Sequence, residues 1–235
     1  MLSFPKLILA SLFDILYPNR CINCGHYGQL LCLECASDLE ILKSYTCYGC
    51  GKLSQFGKLC NNCKKQLGGN IDSIIYAVDY SSKIAKTLIS AFKYSGITEL
   101  STTLSALLIT RIPSLEPGII MPVPLHPSKK LRRGFNQSEL LAKEISKKLG
   151  FPLNNYLVRV KNTQSQVGLS RAKRLQNLEQ AFVCRNSWRI KGKVVYLVDD
   201  VVTTGSTFAA CASVLKEAGA KKVVCLAIAR NLHMK

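Results

Sequence analysis

Val194-Val195-Tyr196-Leu197-Val198-Asp199-Asp200-Val201-Val202-Thr203-Thr204-Gly205-Ser206-Thr207 is an apolar run that ends in two carboxylates and then in a hydroxyl-rich turn. A run of this length fits a central parallel strand covered on both faces by helices. Ligands of such sheets bind beyond the carboxyl ends of the strands. Past this end, Thr203 to Thr207 offer backbone N–H groups and hydroxyls at a helix N-terminus, where free donors and the helix dipole favour a phosphate dianion. The seat needs no side-chain cation. Asp199 and Asp200 are acceptors, unsuited to a phosphate but suited to the vicinal hydroxyls of a ribose. Acidic pair and turn together predict a pocket for ribose 5-phosphate.

Outward from this loop, strands and helices alternate. The pattern predicts strands over 71–80, 119–123, 156–160 and 222–229. It predicts helices over 84–94, 97–109 and from Asn136 to Gly150, with Glu139 placed as in a capping box and Leu141, Ile145 and Leu149 as the buried stripe. Phe208, Cys211 and Leu215 are the inward positions of the helix after the phosphate turn. Between 119–123 and Asn136 the prolines at 122, 124 and 127 predict a broken loop. The whole is an α/β fold with a mostly parallel sheet. Gly68-Gly69-Asn70 reads as a linker, dividing the chain into residues 1–68 and 69–235.

Residues 1–68 carry eight of the eleven cysteines. They form four Cys-x-x-Cys pairs: Cys21/Cys24, Cys32/Cys35, Cys47/Cys50 and Cys60/Cys63. Each pair sets two thiolates on one edge of a tetrahedron, so the eight make two closed Zn²⁺ sites of structural character. Short intervals favour sequential over cross-brace pairing; disulfides and redox chemistry are the alternatives. A module this small needs its metal to fold. His26 and His126 read as loop residues, and Cys184, Cys211 and Cys225 as small core residues. Before the first pair, Leu9, Leu12, Phe13 and Leu16 predict a short amphipathic helix, and no stretch is long enough to span a bilayer. Thiolate ligands and the lack of a cleavage site predict a cytoplasmic protein.

Of the 235 residues, 32 are Lys or Arg against 14 Asp or Glu, a net charge of +18, which favours polyanionic partners. Sixteen of the cations and only three acids lie between Met121 and Lys193. The densest stretch, Lys129-Lys130-Leu131-Arg132-Arg133, follows a strand end, where an arginine fork would neutralise a pyrophosphate beside the ribose. A second basic loop, 161–174, has the polarity of a lid, with Arg171 and Arg174 as its cations. Phe135 suits either base stacking or a core contact.

The 194–207 segment resembles the phosphoribosyl-pyrophosphate loop of type I phosphoribosyltransferases. In that family the acidic pair, here Asp199 and Asp200, holds the ribose hydroxyls; the turn Thr203, Thr204, Gly205, Ser206, Thr207 holds the 5-phosphate. With the cysteine pairs, the Arg133-Gly134-Phe135-Asn136-Gln137 segment, Gln166, Arg174 and Asn177 in order, the whole chain resembles the ComF family of competence proteins. That resemblance implies a phosphoribosyltransferase-type sheet preceded by a double zinc ribbon. It also implies a role in passing single-stranded DNA across the inner membrane during natural transformation, beside a membrane channel and a helicase, so that a peripheral place at that membrane is expected. The chain is also similar to the transferase half of glutamine-dependent amidophosphoribosyltransferases, without their glutaminase half.

Two functions of different class follow. One is a Mg²⁺-dependent phosphoribosyltransferase, with Asp199 and Asp200 fixing the ribose, Arg133 with Arg132 or Arg171 taking the departing charge, and Mg²⁺ bridging pyrophosphate and ribose oxygens. Neither an acceptor hood nor a general base is marked in the sequence. The other is a DNA-uptake module whose pocket holds phosphoribosyl pyrophosphate or a similar sugar phosphate while the basic face tracks a single strand. A third makes the zinc module a docking platform for the helicase.

Overall fold

The computed structural model describes residues 19–113, 115–161, 178 and 180–231. The expected N-terminal helix and most of the 161–174 loop, with Gln166, Arg171, Arg174 and Asn177, lie outside them.

The sheet is built around the quoted strand. Strands β1 (Ser73–Asp79), β2 (Gly118–Pro122), β5 (Val194–Val202) and β6 (Lys222–Arg230) pair in the order β1-β6-β5-β2, every pairing parallel. Beyond β2 the chain at Leu153 adds a parallel bridge to Ile120. β-Branched and aliphatic residues fill β5 and β6 because both faces are covered. Side-chain alternation then divides the core. Val195 and Leu197 face α7 (Ser206–Glu217) through Phe208, Cys211 and Leu215. Val194, Tyr196 and Val198 face α3 (Lys83–Tyr94), α4 (Leu100–Ile109) and α6 (Gln137–Leu149).

β3 (Leu157–Arg159) and β4 (Phe182–Cys184) form a separate antiparallel pair. β3 falls within the strand expected over 156–160, whereas nothing in the sequence had marked the three-residue β4 or the pairing. The expected proline-broken loop is instead partly helical, as α5 (Pro127–Arg133). Proline is well placed at the first turn of a helix, where its missing N–H costs no bond, and the His126 side chain accepts from Ser128 N to cap it. At the start of α6, Asn136 caps as expected, accepting from Ser138 N at 3.1 Å. Glu139 pairs with Lys130 at 2.9 Å rather than completing a capping box.

The cysteine segment, with the short helices α1 (Leu33–Ser37) and α2 (Asn61–Gln66), lies along the β1 edge. Leu42 N donates to Ala77 O, Leu59 N donates to Asp72 O, and antiparallel bridges join Ile41 to Val78 and Lys58 to Ser73. Cys21, Cys32 and Cys35 pack with the α3/α4 face of the sheet, and Cys47 and Cys63 with the α7 face. Gly57 holds this contact close: its φ is +68°, and a Cβ there would sit 2.3 Å from Ile74 O. Gly57→Ala is therefore expected to destabilise the chain by about 2 kcal/mol or more, from a left-handed φ plus a backbone clash; thermal denaturation of the zinc-loaded protein measures it.

Candidate functional site

β5 delivers Asp199 and Asp200 to its carboxyl end and the chain then turns through Thr203, Thr204 and Gly205 into α7. Gly205 adopts φ +75° as the residue before the helix, a conformation that favours glycine. Thr204 Oγ1 and Ser206 Oγ lie 2.8 Å apart, and Ser206 N donates to Thr204 Oγ1 at 3.4 Å. A small hollow is lined by Asp199 and residues 201–208. Its donors are backbone N–H groups at a helix N-terminus, the chemistry of a phosphate seat. A larger hollow of about 800 Å³, between Leu67, Phe182 and Val214, contains neither aspartate. Its lining is mostly apolar, and it lies away from the acidic end of β5.

Each carboxylate has a partner that the sequence did not mark. Lys93, in the last turn of α3, forms an ion pair with Asp200 at 2.9 Å, and both side chains are largely buried. Burial opposes the Lys93 charge, but the fields of Asp200 and Asp199 outweigh it and hold the ammonium above its usual range. Asp199 accepts from Ser138 Oγ at 2.8 Å and from Asp200 N at 2.9 Å. Packed about with protein and beside a second carboxylate, it is pushed up to about 7, burial being the larger cause; Ser138 and Lys93 offset this only in part.

The Arg133–Gln137 segment earns its place as the joint that sets Ser138 on Asp199. Arg133 Nη1 donates to Gln137 Oε1 at 2.8 Å and its guanidinium lies 5.5 Å from the Tyr94 ring centre. Gly134 ends α5 at φ +84°. Phe135 leans on Phe92 at 6.1 Å, which makes it a core contact. Asn136 Nδ2 donates to Val123 O at 3.1 Å. The cations of α5 are joined by Arg159 of β3, which is 7% exposed. Burial lowers its pKa, while the fields of Cys211 and Asp199 act in the opposite sense. Lys129 is likewise held below its usual value, first by burial and then by Arg159, Arg132 and Arg133. Arg159 was legible only as a lone charge in the strand Leu157-Val158-Arg159-Val160.

The cysteines gather in the sequential arrangement: Cys21, Cys24, Cys32 and Cys35 in one group, Cys47, Cys50, Cys60 and Cys63 in another, the sulfurs of each within 4.8 Å of one another. These are two Cys₄ zinc-binding sites, and the donor set fits the metal. Burial opposes ionisation of Cys47, but the amides of Cys60, Cys50 and Gly49 prevail and bring it down to about 7. Cys63 is pushed up, by burial first and then by the sulfurs of Cys60, Cys47 and Cys50. The Cys47 thiolate comes easily and Cys63 resists, a conflict that a divalent cation removes. With four sulfurs per ion no coordination position stays open for water, so the zinc supplies structure. Cys211 and Cys225 are fully buried, whereas Cys184 is only half-buried on β4.

The lifted Asp199 has a consequence for stability. A carboxyl raised from 3.8 to about 7 binds its proton more tightly folded than unfolded. It therefore leaves the fold unaffected below about pH 4 and opposes it increasingly as pH rises to about 7. Asp199→Asn is expected to raise the melting temperature at pH 8, by an amount that shrinks as pH falls towards 4; scanning calorimetry across that range is the check.

Comparison with known proteins bears on the two modules and the family. A double zinc ribbon domain matches residues 12–67 and a phosphoribosyl transferase domain matches residues 136–235. Competence protein F of Haemophilus influenzae is 34% identical over 230 residues, covering 87% of this chain and 99% of that one. DNA utilization protein YhgH of Escherichia coli is also 34% identical, covering 92% and 98%. Among solved structures, glutamine phosphoribosylpyrophosphate amidotransferase from B. subtilis covers 55% of this chain and 25% of its own, at 21% identity and a TM-score of 0.36. With two relatives aligned at this identity along almost their full length, and with both modules matched in order, the chain belongs to the ComF family of competence proteins.

Proposed function

We propose that this chain is a cytoplasmic DNA-uptake protein of natural transformation whose pocket binds phosphoribosyl pyrophosphate, or a similar sugar phosphate, with Mg²⁺. The observation that carries the reading is the order of groups at the end of β5. Two acceptor carboxylates stand beside a helix-opening turn rich in N–H and hydroxyl groups, with Lys129, Arg132, Arg133 and Arg159 gathered nearby. The 5-phosphate sits on the turn at residues 203–207 and Asp199 and Asp200 accept from the ribose hydroxyls. The guanidiniums take the pyrophosphate. Mg²⁺ would enter with the ligand and, when bound beside Asp199 and Asp200, would supply neutralisation of the ligand's phosphate charge. Asp199 binds best as a carboxylate, since its proton would compete with the hydroxyl donors.

The DNA role draws on the names of the relatives, a competence protein and a DNA utilization protein, and on the charge of +18. A single strand would follow the exposed cations of α5, with the helicase and the inner-membrane channel as protein partners and a peripheral position at that membrane. No helix among the described residues is long and apolar enough to cross it. Transfer of the phosphoribosyl group to an acceptor is the second reading, favoured by the cations placed for a leaving pyrophosphate.

Calorimetric titration of the zinc-loaded protein with phosphoribosyl pyrophosphate and Mg²⁺ tests the pocket. Saturable heat that Asp200→Asn abolishes is expected; no heat from the unmodified protein overturns the ligand assignment. For DNA, the logarithm of affinity should fall against that of salt with a slope of about −0.7 per neutralised phosphate. Lys129→Ala and Arg132→Ala together should flatten it by about one to two phosphates. A salt-independent or absent interaction overturns the DNA assignment.

A further inference from the structure

The second Cys₄ group touches the phosphate turn directly. Tyr48 lies inside the Cys47-Tyr48-Gly49-Cys50 knuckle and donates its phenolic O–H to the main-chain carbonyl of Thr203. Its ring is buried, edge-on to Tyr76 at 6.3 Å between centres. Leu67, at the end of α2 and four residues past Cys63, closes over the next turn position. A Cβ added at Gly205 would lie 2.9 Å from Leu67 Cδ2 and 3.6 Å from Tyr48 Cε1. The turn that holds the phosphate donors is thus packed from behind by the loop that holds the metal.

That loop is stiff when its sulfurs are tied together. Gly51 N donates to Cys47 O at 2.8 Å, Cys60 N to Cys47 Sγ at 3.4 Å, and Leu67 N to Cys63 O at 3.1 Å. Gly49 has no room for a side chain, since a Cβ there would be 2.6 Å from Cys63 Sγ. The first Cys₄ group packs with the opposite face of the sheet. The two metals are therefore not equivalent with respect to the pocket.

We propose that Tyr48 and Leu67 are positioning residues for the phosphate turn, so that the second zinc site sets the affinity of the pocket for its phosphoryl ligand while the first does not. This deepens the ligand reading above and rests on it for the affinity statement. The physical route is short. Thr203 O and the turn backbone lose an anchor when the knuckle loosens, and the donors at residues 203–207 then have to be ordered by the ligand itself, which weakens binding. The coupling is reciprocal: ligand on the turn holds Tyr48 in place and raises the affinity of the second site for zinc by the same factor.

Hydrogen–deuterium exchange on the full, zinc-loaded chain without ligand tests the coupling. Tyr48→Phe keeps the ring and removes one hydrogen bond of about 1 kcal/mol. It is expected to speed exchange across residues 203–210 about five- to tenfold, with zinc still at two per chain. Tyr45→Phe is the control, because it too loses a phenolic bond to a backbone carbonyl, that of Arg111 at 2.7 Å, yet stands away from the turn. It should leave exchange at 203–210 unchanged. Titration with phosphoribosyl pyrophosphate should show a similar five- to tenfold loss of affinity for Tyr48→Phe alone. Unchanged exchange at 203–210 in a two-zinc Tyr48→Phe protein overturns the proposal. If that variant loses zinc, Leu67→Ala, which lies outside the knuckles, decides the matter by the same exchange measurement. Failure of the unmodified protein to bind phosphoribosyl pyrophosphate overturns the ligand assignment, and the exchange result still decides the coupling.

Discussion

Two neighbouring carboxylates at the end of a strand buried on both faces are an electrostatic burden, and much of the surrounding architecture exists to relieve it. At close range and low dielectric, both cannot keep their charge without compensation. Lys93 reaches down from α3 to Asp200, and Ser138 comes in from the start of α6 to Asp199. The relief is partial. Asp199 stays far above an ordinary carboxyl, a form of strain that binding sites commonly retain because a ligand can discharge it. Removal of Lys93 would leave the Asp200 charge buried without its partner, which for buried ion pairs costs about 3–5 kcal/mol. The α5–α6 joint, with its glycine and its buried asparagine, is understandable as the device that brings Ser138 to this place.

The central strand, its acidic end and the turn were legible in the sequence because strand burial, helix capping and phosphate chemistry all point to one short segment. The cysteine groups were legible because metal geometry demands a fixed spacing. Lys93 was not, since a lysine in the last turn of an amphipathic helix usually serves the helix dipole and solvent, and only the packing of α3 against the sheet shows where it reaches. β4, and with it the β3–β4 pairing, escaped for a different reason: a three-residue strand carries almost no periodicity, and Arg159, inside the strand expected over 156–160, read only as a lone charge. Tyr48 could not be tied to Thr203 by any local signal, as the two are 155 positions apart. α5 was missed because proline clusters suggest breakage, whereas a proline at a first helical turn supports the helix.

The basic character also takes on a location. Cations crowd one another at α5 and β3 strongly enough that Lys129 is driven below its usual pKa, by burial and by three guanidiniums. Such crowding is unfavourable in the empty protein and is relieved by an anion. Acidic strand end and basic rim thus oppose each other across a short distance, a polarity suited to a ligand with hydroxyls at one end and phosphates at both flanks.

The hydrogen bonds between the cysteine segment and β1 reach further than the pocket. β1 is an outer strand of nearly continuous apolar residues, Ile74 to Val78 being buried, and its free edge is covered by the backbone around Ile41, Leu42, Lys58 and Leu59. An uncovered edge of that composition is a template on which other chains can add strands. Metal supply would then govern not just the shape of the ribbons but whether the protein stays in solution at all, with zinc starvation expressed as self-association.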